Sequence, residues 1–337
     1  MPTNSEIPQN ADAAVAVNGF QLAFPALGTL VELTAFADDE AKVQTAFDAV
    51  QRDVRQLESI LTDYDSESET RRLTTVATKQ AAKVSDPLWE VLAASDRWYQ
   101  HSDGAFDSSL GSVTVLWRSR RRDKQVPSES EISAALQKSG WQYVSLDENA
   151  RTVRLTREGL RFDFGAIGKG YIVDQAYRLL VEHDLPCCLV NISGNMRMGS
   201  PPPEREGWRV AIASLEKNGE PLRKITCANT AIATSGDLWQ YVIIDGVKRS
   251  HILDPSTGIG VRGPVAATVI ADNATDADAL ATAACVLREE DALALARKTR
   301  SQLLIARKSA DDVGDVGATD DDGDQVKVIE TDGFPRQ

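Results

Sequence analysis

Hydrophobic positions recur at two periods along this chain, and the switches between them outline its elements. In PALGTLVELTAF (25–36) apolar and polar residues alternate, which predicts paired strands over Phe20–Phe36 with a turn at Gly28. From Asp39 to Asp63 the apolar residues Val43, Ala46, Phe47, Val50, Val54, Leu57 and Leu61 fall at helical spacing. A polar segment, DYDSESETRRL, follows that helix. Ser85-Asp86-Pro87 places a cap before a proline, announcing a second helix with Leu88, Val91, Leu92 and Trp98 as its stripe. Ser128-Glu-Ser-Glu131 is a capping box for a third helix, stopped at Gly140. Val153–Leu155 and Leu160–Phe162 read as strands.

Those strands feed the stretch RFDFGAIGKGYIVDQ (161–175), around which the rest is organised. Three glycines, Gly165, Gly168 and Gly170, surround Lys169, and an amphipathic helix is expected to begin near Tyr171. Strand, glycine-rich turn and helix can bring bare N–H groups and a positive helix end to a phosphate. Neither common phosphate motif fits. A P-loop would need glycine at Asp163 and Ser or Thr at Gly170, and a dinucleotide fingerprint would need glycine at Val173. A turn that merely packs a helix on a sheet is the bland alternative.

Further along, Cys188–Ile192, Trp208–Ala213, Arg223–Cys227 and Val265–Ala271 read as strands, with Ile232–Gly236 as a Ser/Gly turn. Trp239–Ile244 and Arg249–Leu253 flank Asp245-Gly246, a strong hairpin signal. Asp276–Leu287 and Glu289–Arg300 read as helices, and Leu303–Arg307 and Val326–Ile329 as a last strand pair. Strands follow one another as hairpins more than through helical crossovers. This predicts an α+β fold with mixed or antiparallel sheets flanked by helices. Residues 1–18 are expected to be disordered, and 19–337 to form one domain. An acidic loop insertion is expected at 309–325, where 311–324 alone holds seven Asp.

The net charge of −13 argues against nucleic acid as a partner. The basic run Arg118–Lys124 reads as a solvated loop. The four cysteines contain no C-x-x-C pair and read as buried free thiols. No apolar run reaches transmembrane length. The start, MPTNSEIPQNADAA, has no basic opening and no apolar core suited to export. A cytoplasmic location is therefore expected as written, with a periplasmic or membrane-anchored form only if the true start lies upstream.

Four constellations carry candidate chemistry. Asp278 and Thr282 lie i, i+4 on a predicted helix, so a carboxylate and a hydroxyl share one face, a set suited to Mg²⁺; a plain polar stripe is the alternative. His251, in SHILDPSTG, is one of three histidines and a candidate base or phosphate ligand, or a structural histidine. Asp103–Gly111 (DGAFDSSLG) offers carboxylates and exposed backbone, or an ordinary turn and cap. Asn191–Asn195 and Thr234–Gly236 are polar turns at strand ends.

Taken together, ALGT (26–29), LTDYDSES (61–68), DGAFD (103–107), DFGAIGKGYIVD (163–174), NISGN (191–195), ATSGD (233–237), SHILDPSTG (250–258) and ADALAT (277–282) resemble, in order, the ApbE family of FAD:protein FMN transferases. The resemblance spans about Phe24 to Phe334. It implies two closely packed lobes with FAD between them, and Mg²⁺-dependent transfer of FMN to a Ser or Thr hydroxyl of a target protein, releasing AMP. An FAD diphosphatase and a non-catalytic FAD-binding protein are the alternatives. By the same resemblance Asp278, Thr282 and the Ala166 carbonyl would hold Mg²⁺, and Asp163 and Lys169 would contact FAD. Leu27, Tyr64, Ala105, Phe106, Asp107 and Ile252 would line the nucleotide, with His251 nearest the transferred phosphoryl. The target would carry a Ser/Thr-Gly-Ala-Thr-like segment. Gly317-Ala318-Thr319 is similar to part of it, making Thr319 a candidate for self-modification although its flanks differ. Leu27 replaces the family's usual Met, Ser193 replaces the first of two glycines, and Ser256 replaces a basic residue.

Overall fold

The structure, a computed structural model, describes residues 18–122, 125–217, 219–238, 240–244, 247–308 and 326–336. The N-terminal segment 1–17, the hairpin turn Asp245-Gly246 and the acidic insertion 309–325 with Thr319 lie outside the described residues.

Among the described residues eight strands form the central sheet: Asn18–Ala26, Thr29–Ala37, Cys188–Ile192, Asn195–Met198, Thr230–Gly236, Val265–Ala271, Gln302–Lys308 and Val326–Glu330. Their order in space is their order along the chain, and every neighbouring pair is antiparallel. Smaller antiparallel sheets are built by Tyr241–Ile244, Val247–Leu253 and Gly260–Arg262, by Ala82–Lys83, Thr152–Leu155 and Val144–Asp147, and by Trp208–Ile212 with Arg223–Cys227. The fold is α+β, and the paired strands among the described residues are antiparallel rather than mixed, apart from a lone parallel bridge between Leu110 and Arg161.

Among the described residues eight α-helices accompany the sheets: α1 (Glu40–Leu61), α2 (Glu69–Val76), α3 (Asp86–His101), α4 (Gly111–Arg122), α5 (Glu129–Leu136), α6 (Gly168–Glu182), α7 (Ala274–Val286) and α8 (Glu289–Lys298). The seven apolar residues that define the α1 stripe are the ones it buries. Ser85 caps α3, and Ser128 with Glu131 closes the capping box of α5. Helix α7 is buried on nearly every side, and nearly half of its residues are alanine. It packs on the strands Thr230–Gly236 and Val265–Ala271 and against α6, and its polar side chains Asp278 and Thr282 are met by Gly170 and Ser235 rather than by solvent. No helix among the described residues is long and apolar enough to cross a membrane.

Several elements differ from the pattern. The polar run after α1 contains α2, which starts where Ser68 caps the Arg71 N–H. Arg118–Arg122 form the end of α4 rather than a loop, because Arg118 pairs with Asp63 and Arg120 with Glu131. Ile232–Gly236 belongs to a central strand, its hydroxyls facing α7 and the neighbouring strand. Leu160–Phe162 contributes only the bridge from Arg161 to Leu110. Helix α5 ends at Leu136, short of Gly140, and α6 starts at Gly168 rather than near Tyr171.

Candidate active site

The early start of α6 makes the centre of the site. Gly168, Lys169 and Gly170 form its first turn, where helical N–H groups lack partners. Ile167, in the cap position, offers no side-chain acceptor. Asp278, on α7, does instead: its Oδ2 accepts the Gly170 N–H at 3.0 Å, and Lys169 Nζ stands 3.9 Å from the same oxygen. A carboxylate at a helix N-terminus is favoured by the exposed dipole end. Glycine is required here by space, since a Cβ on Gly170 would lie 2.2 Å from the Ala274 carbonyl oxygen. The turn before α6 is tied to the same group: Asp163 Oδ1 accepts the Gly165 N–H at 2.8 Å, and Lys169 donates to the Gly165 carbonyl at 2.8 Å. Ala166 lies between these bonds.

One turn after Asp278, Thr282 shares a hydrogen bond of 3.0 Å with Ser235. Asp278 is 2% exposed, and both its contacts fall on Oδ2. Among the described residues no group of three His, Cys, Asp or Glu side chains could hold a metal. A cation here would rest on few protein ligands. The available donors are a carboxylate, a hydroxyl and a carbonyl, hard oxygens of the kind Mg²⁺ takes while keeping waters or phosphate oxygens for the rest.

His251 lies on the Val247–Leu253 strand, its Nδ1 3.1 Å from the Gln240 carbonyl oxygen. A carbonyl only accepts, so Nδ1 carries the hydrogen and Nε2 keeps its lone pair in the neutral ring. The ring is crowded by protein atoms although its residue stays open to solvent. Desolvation lowers its pKa below the ordinary histidine value, the charge of Lys169 adds to this, and Asp237 opposes it. The strand that carries His251 packs against α7.

The remaining residues are arranged less directly. Tyr64 is 80% exposed, with the Arg118 guanidinium 4.2 Å from its ring centroid. Arg118 is held by both oxygens of the buried Asp63 carboxylate. Leu27 and Gly28 have φ of +57° and +69°, both in the left-handed region used by the tightest hairpins. A leucine there is a steric outlier; the Leu27 N–H is anchored to Glu58 Oε1 at 2.8 Å. The hairpin turn at Ser193-Gly194 sits beside it, through a hydrogen bond between Ser193 and Thr29.

Phe106 and Asp107 point inward. Phe106 is buried, and Asp107 is engaged by the Ser109 N–H and hydroxyl and by the Trp141 N–H. Burial raises the Asp107 pKa, and those hydrogen bonds oppose the shift. Ile252 is also buried. The loop holding Ala105–Asp107 joins the central stretch through two backbone bonds, Asp163 N–H to Ser108 and Gly111 N–H to Arg161.

The structure thus gathers Asp163, Lys169 and Asp278 around the α6–α7 crossing, with Ala166 in the turn between Asp163 and Lys169, Thr282 one turn along α7, and His251 on a strand that packs against α7. Leu27 and Tyr64 share no hydrogen bond or ion pair with that group among the described residues. No pattern along the chain pointed to Glu58, and neither the Thr234–Gly236 turn nor the basic run at Arg118 indicated what Ser235 and Arg118 would meet. Their partners lie 31, 47 and 55 residues away in the chain, a separation no local pattern encodes.

Several known proteins are similar to this chain. The sequence model described as the ApbE family matches residues 27–305. The FAD:protein FMN transferase of Treponema pallidum (strain Nichols) is 30% identical over 288 residues, 81% of this chain and 80% of that protein. That of Escherichia coli (strain K12) is 28% identical over 281 residues, 82% and 78% of the two chains. The crystal structure of the ApbE protein of Thermotoga maritima matches with a TM-score of 0.78 at 28% identity, over 86% of this chain and 94% of that one. The apo form of the Pseudomonas stutzeri flavinyl transferase ApbE matches with a TM-score of 0.79 at 27% identity, over 94% and 95%. The match of 27–305 and the likeness to these relatives across most of the chain establish that this protein belongs to the ApbE family.

Proposed function

We propose that this protein is an Mg²⁺-dependent FAD:protein FMN transferase, moving FMN from FAD to a Ser or Thr hydroxyl of an acceptor protein and releasing AMP. The observation that carries the reading is the α6–α7 crossing, where a buried carboxylate, a lysine and a helix N-terminus converge. The relatives' shared name supports the reaction class.

Asp278, Thr282 and the Ala166 carbonyl would hold the metal, which when bound offsets the diphosphate charge and polarises the reacting phosphoryl. Lys169 adds positive charge on the same side. On a chain of net charge −13 such local neutralisation is what lets an anionic dinucleotide approach. Asp163 and Lys169 contact FAD in this reading, and Leu27, Tyr64, the Ala105–Asp107 segment and Ile252 line it. Because Phe106 and Asp107 turn inward, that segment offers the ligand its main chain. His251 acts as general base through Nε2, with Nδ1–H held by Gln240. The acceptor oxygen bonds to the flavin-side phosphorus, the bond from that phosphorus to the AMP oxygen breaks, the proton passes to His251, and AMP leaves. Phosphoryl transfer depends on this positioning and neutralisation more than on covalent help.

The test mixes purified protein, FAD and Mg²⁺ with and without a peptide carrying a Ser/Thr-Gly-Ala-Thr segment, following AMP and peptide mass. AMP with a peptide mass gain equal to FMN is expected. AMP in both mixtures without an adduct would replace transfer by FAD hydrolysis. Bound FAD and no AMP, with the peptide and with the natural acceptor alike, would overturn the enzymatic reading.

A further inference from the structure

Helices α6 and α7 cap each other. Asp278, in the second turn of α7, accepts from Gly170 in the first turn of α6 at 3.0 Å. Asp174, in the second turn of α6, does the converse. Its Oδ1 accepts the Ala274 N–H at 2.8 Å, and its Oδ2 accepts the Thr275 N–H at 2.8 Å and the Thr275 hydroxyl at 2.6 Å. Ala274 and Thr275 open α7, so Asp174 takes two N–H groups that the helix itself leaves without partners. The two helices touch backbone to backbone where Gly170 meets Ala274, and neither can slide without breaking both caps.

This matters for the site because Asp278 and Thr282 both ride on α7, whereas Lys169 and Ala166 belong to α6 and the turn before it. Their spacing is set by how α7 is docked on α6, and Asp174 is the side chain with the most hydrogen bonds across that joint. It does not belong to the donor set itself. It faces a separate cavity of about 590 Å³, lined also by Trp89, Tyr171 and Thr275 but not by Lys169, Asp278 or His251.

We infer that Asp174 is a positioning residue for the metal site: it sets the register of α7 on α6 and so holds Asp278 and Thr282 at the right distance from Ala166 and Lys169. The inference rests on the reading of that site as a divalent-cation site. Removing a group that orients metal ligands typically lowers metal affinity about 10- to 100-fold.

The test uses the full chain and Mn²⁺ as a paramagnetic probe, with free Mn²⁺ read by electron paramagnetic resonance in the absence of FAD. Asp174→Asn keeps the size of the side chain but surrenders part of its accepting capacity. It is expected to weaken Mn²⁺ binding about 10-fold or more, and to raise the Mg²⁺ concentration needed for AMP release while excess Mg²⁺ restores most of the rate. Tyr171→Phe, on the same helix as Asp174, deletes only the 2.8 Å bond from Tyr171 to Glu90 of α3 and should leave Mn²⁺ affinity unchanged. If Asp174→Asn does not fold, Thr275→Ala removes the hydroxyl bond alone and should lower the affinity a few-fold. Folded Asp174→Asn with wild-type Mn²⁺ affinity would overturn the inference, as would Thr275→Ala without effect where only that variant folds. Wild-type protein that binds no Mn²⁺ would overturn the cation-site reading beneath it.

Discussion

The α6–α7 crossing and the segment around Tyr64 are held in opposite ways. At the crossing, main chain meets main chain: Gly170 leaves no room for a Cβ beside Ala274, and two aspartates, the buried Asp278 and the half-buried Asp174, fasten one helix to the other. Around Tyr64 the contacts are between side chains, and the ring projects into solvent with Arg118 behind it and Asp63 behind Arg118. The first arrangement tolerates no adjustment and suits the end where charge must be met at fixed distances. The second presents a flat aromatic face whose neighbours can shift, which suits stacking on a ring. Rigidity is placed where phosphoryl chemistry is proposed and latitude where recognition is.

The comparison breaks most visibly at Asp278. Asp278→Ala should cost about 10²- to 10³-fold in transfer rate at any Mg²⁺ concentration, as expected when an electrostatic stabiliser is removed. Single-turnover AMP release measures this. Full activity in the variant would detach the crossing from the chemistry.

Gly170→Ala should cost about 3 kcal/mol, the upper end of overpacking losses, since the contact it makes is backbone rather than a flexible side chain. Urea unfolding reads the change. A variant as stable as wild type would mean that the helices can separate and the joint is soft.

His251 gives a pH test. Its pKa is lowered, so the neutral base persists below the ordinary histidine value of about 6.5. The acid limb of kcat/KM should lie below that value and vanish in His251→Asn, whose rate should fall about 10²-fold or more. The same shift bears on stability. Above the ordinary value both folded and unfolded rings are neutral and the group contributes nothing; as pH falls from there toward the lowered value, the unfolded ring gains a proton first and the fold weakens. His251→Asn should therefore lose less stability on acidification than wild type. An unmoved acid limb in the variant would assign the base elsewhere.

The smallest effect is expected at the aromatic segment. Arg118→Met should raise KM for FAD a few-fold with kcat nearly unchanged, in keeping with about 0.5–1 kcal/mol for an exposed cation–π contact. A loss in kcat instead would show that Tyr64 and its support are as closely coupled to the chemistry as the α6–α7 joint.

Much of the fold was legible along the chain because its signals are local. The α1 stripe, the Leu27-Gly28 turn, the Ser85 cap and the Ser128–Glu131 box each depend on residues within a turn or two of one another. Asp278 and Thr282 were legible as a pair for the same reason. The misreadings share the opposite cause. Gly168 and Gly170 are poor helix formers, so α6 was expected to start later; it starts at Gly168 because Asp278, 108 residues on, caps Gly170 and because only glycine clears Ala274. The Ile232–Gly236 segment, with its small and polar residues, looked like a turn until Thr268 and Thr282 supplied partners for its hydroxyls.

The periodic elements, the family motifs and the oxygens and nitrogens available for chemistry are written along the chain. Packing chooses which of them meet: Asp278 with Gly170, Asp174 with the start of α7, Lys169 with both Gly165 and Asp278, Arg118 behind Tyr64. Propensity and pattern act over a few residues. The partner of an unpaired N–H or a buried carboxylate is chosen by whichever distant segment the packed core brings within hydrogen-bonding distance.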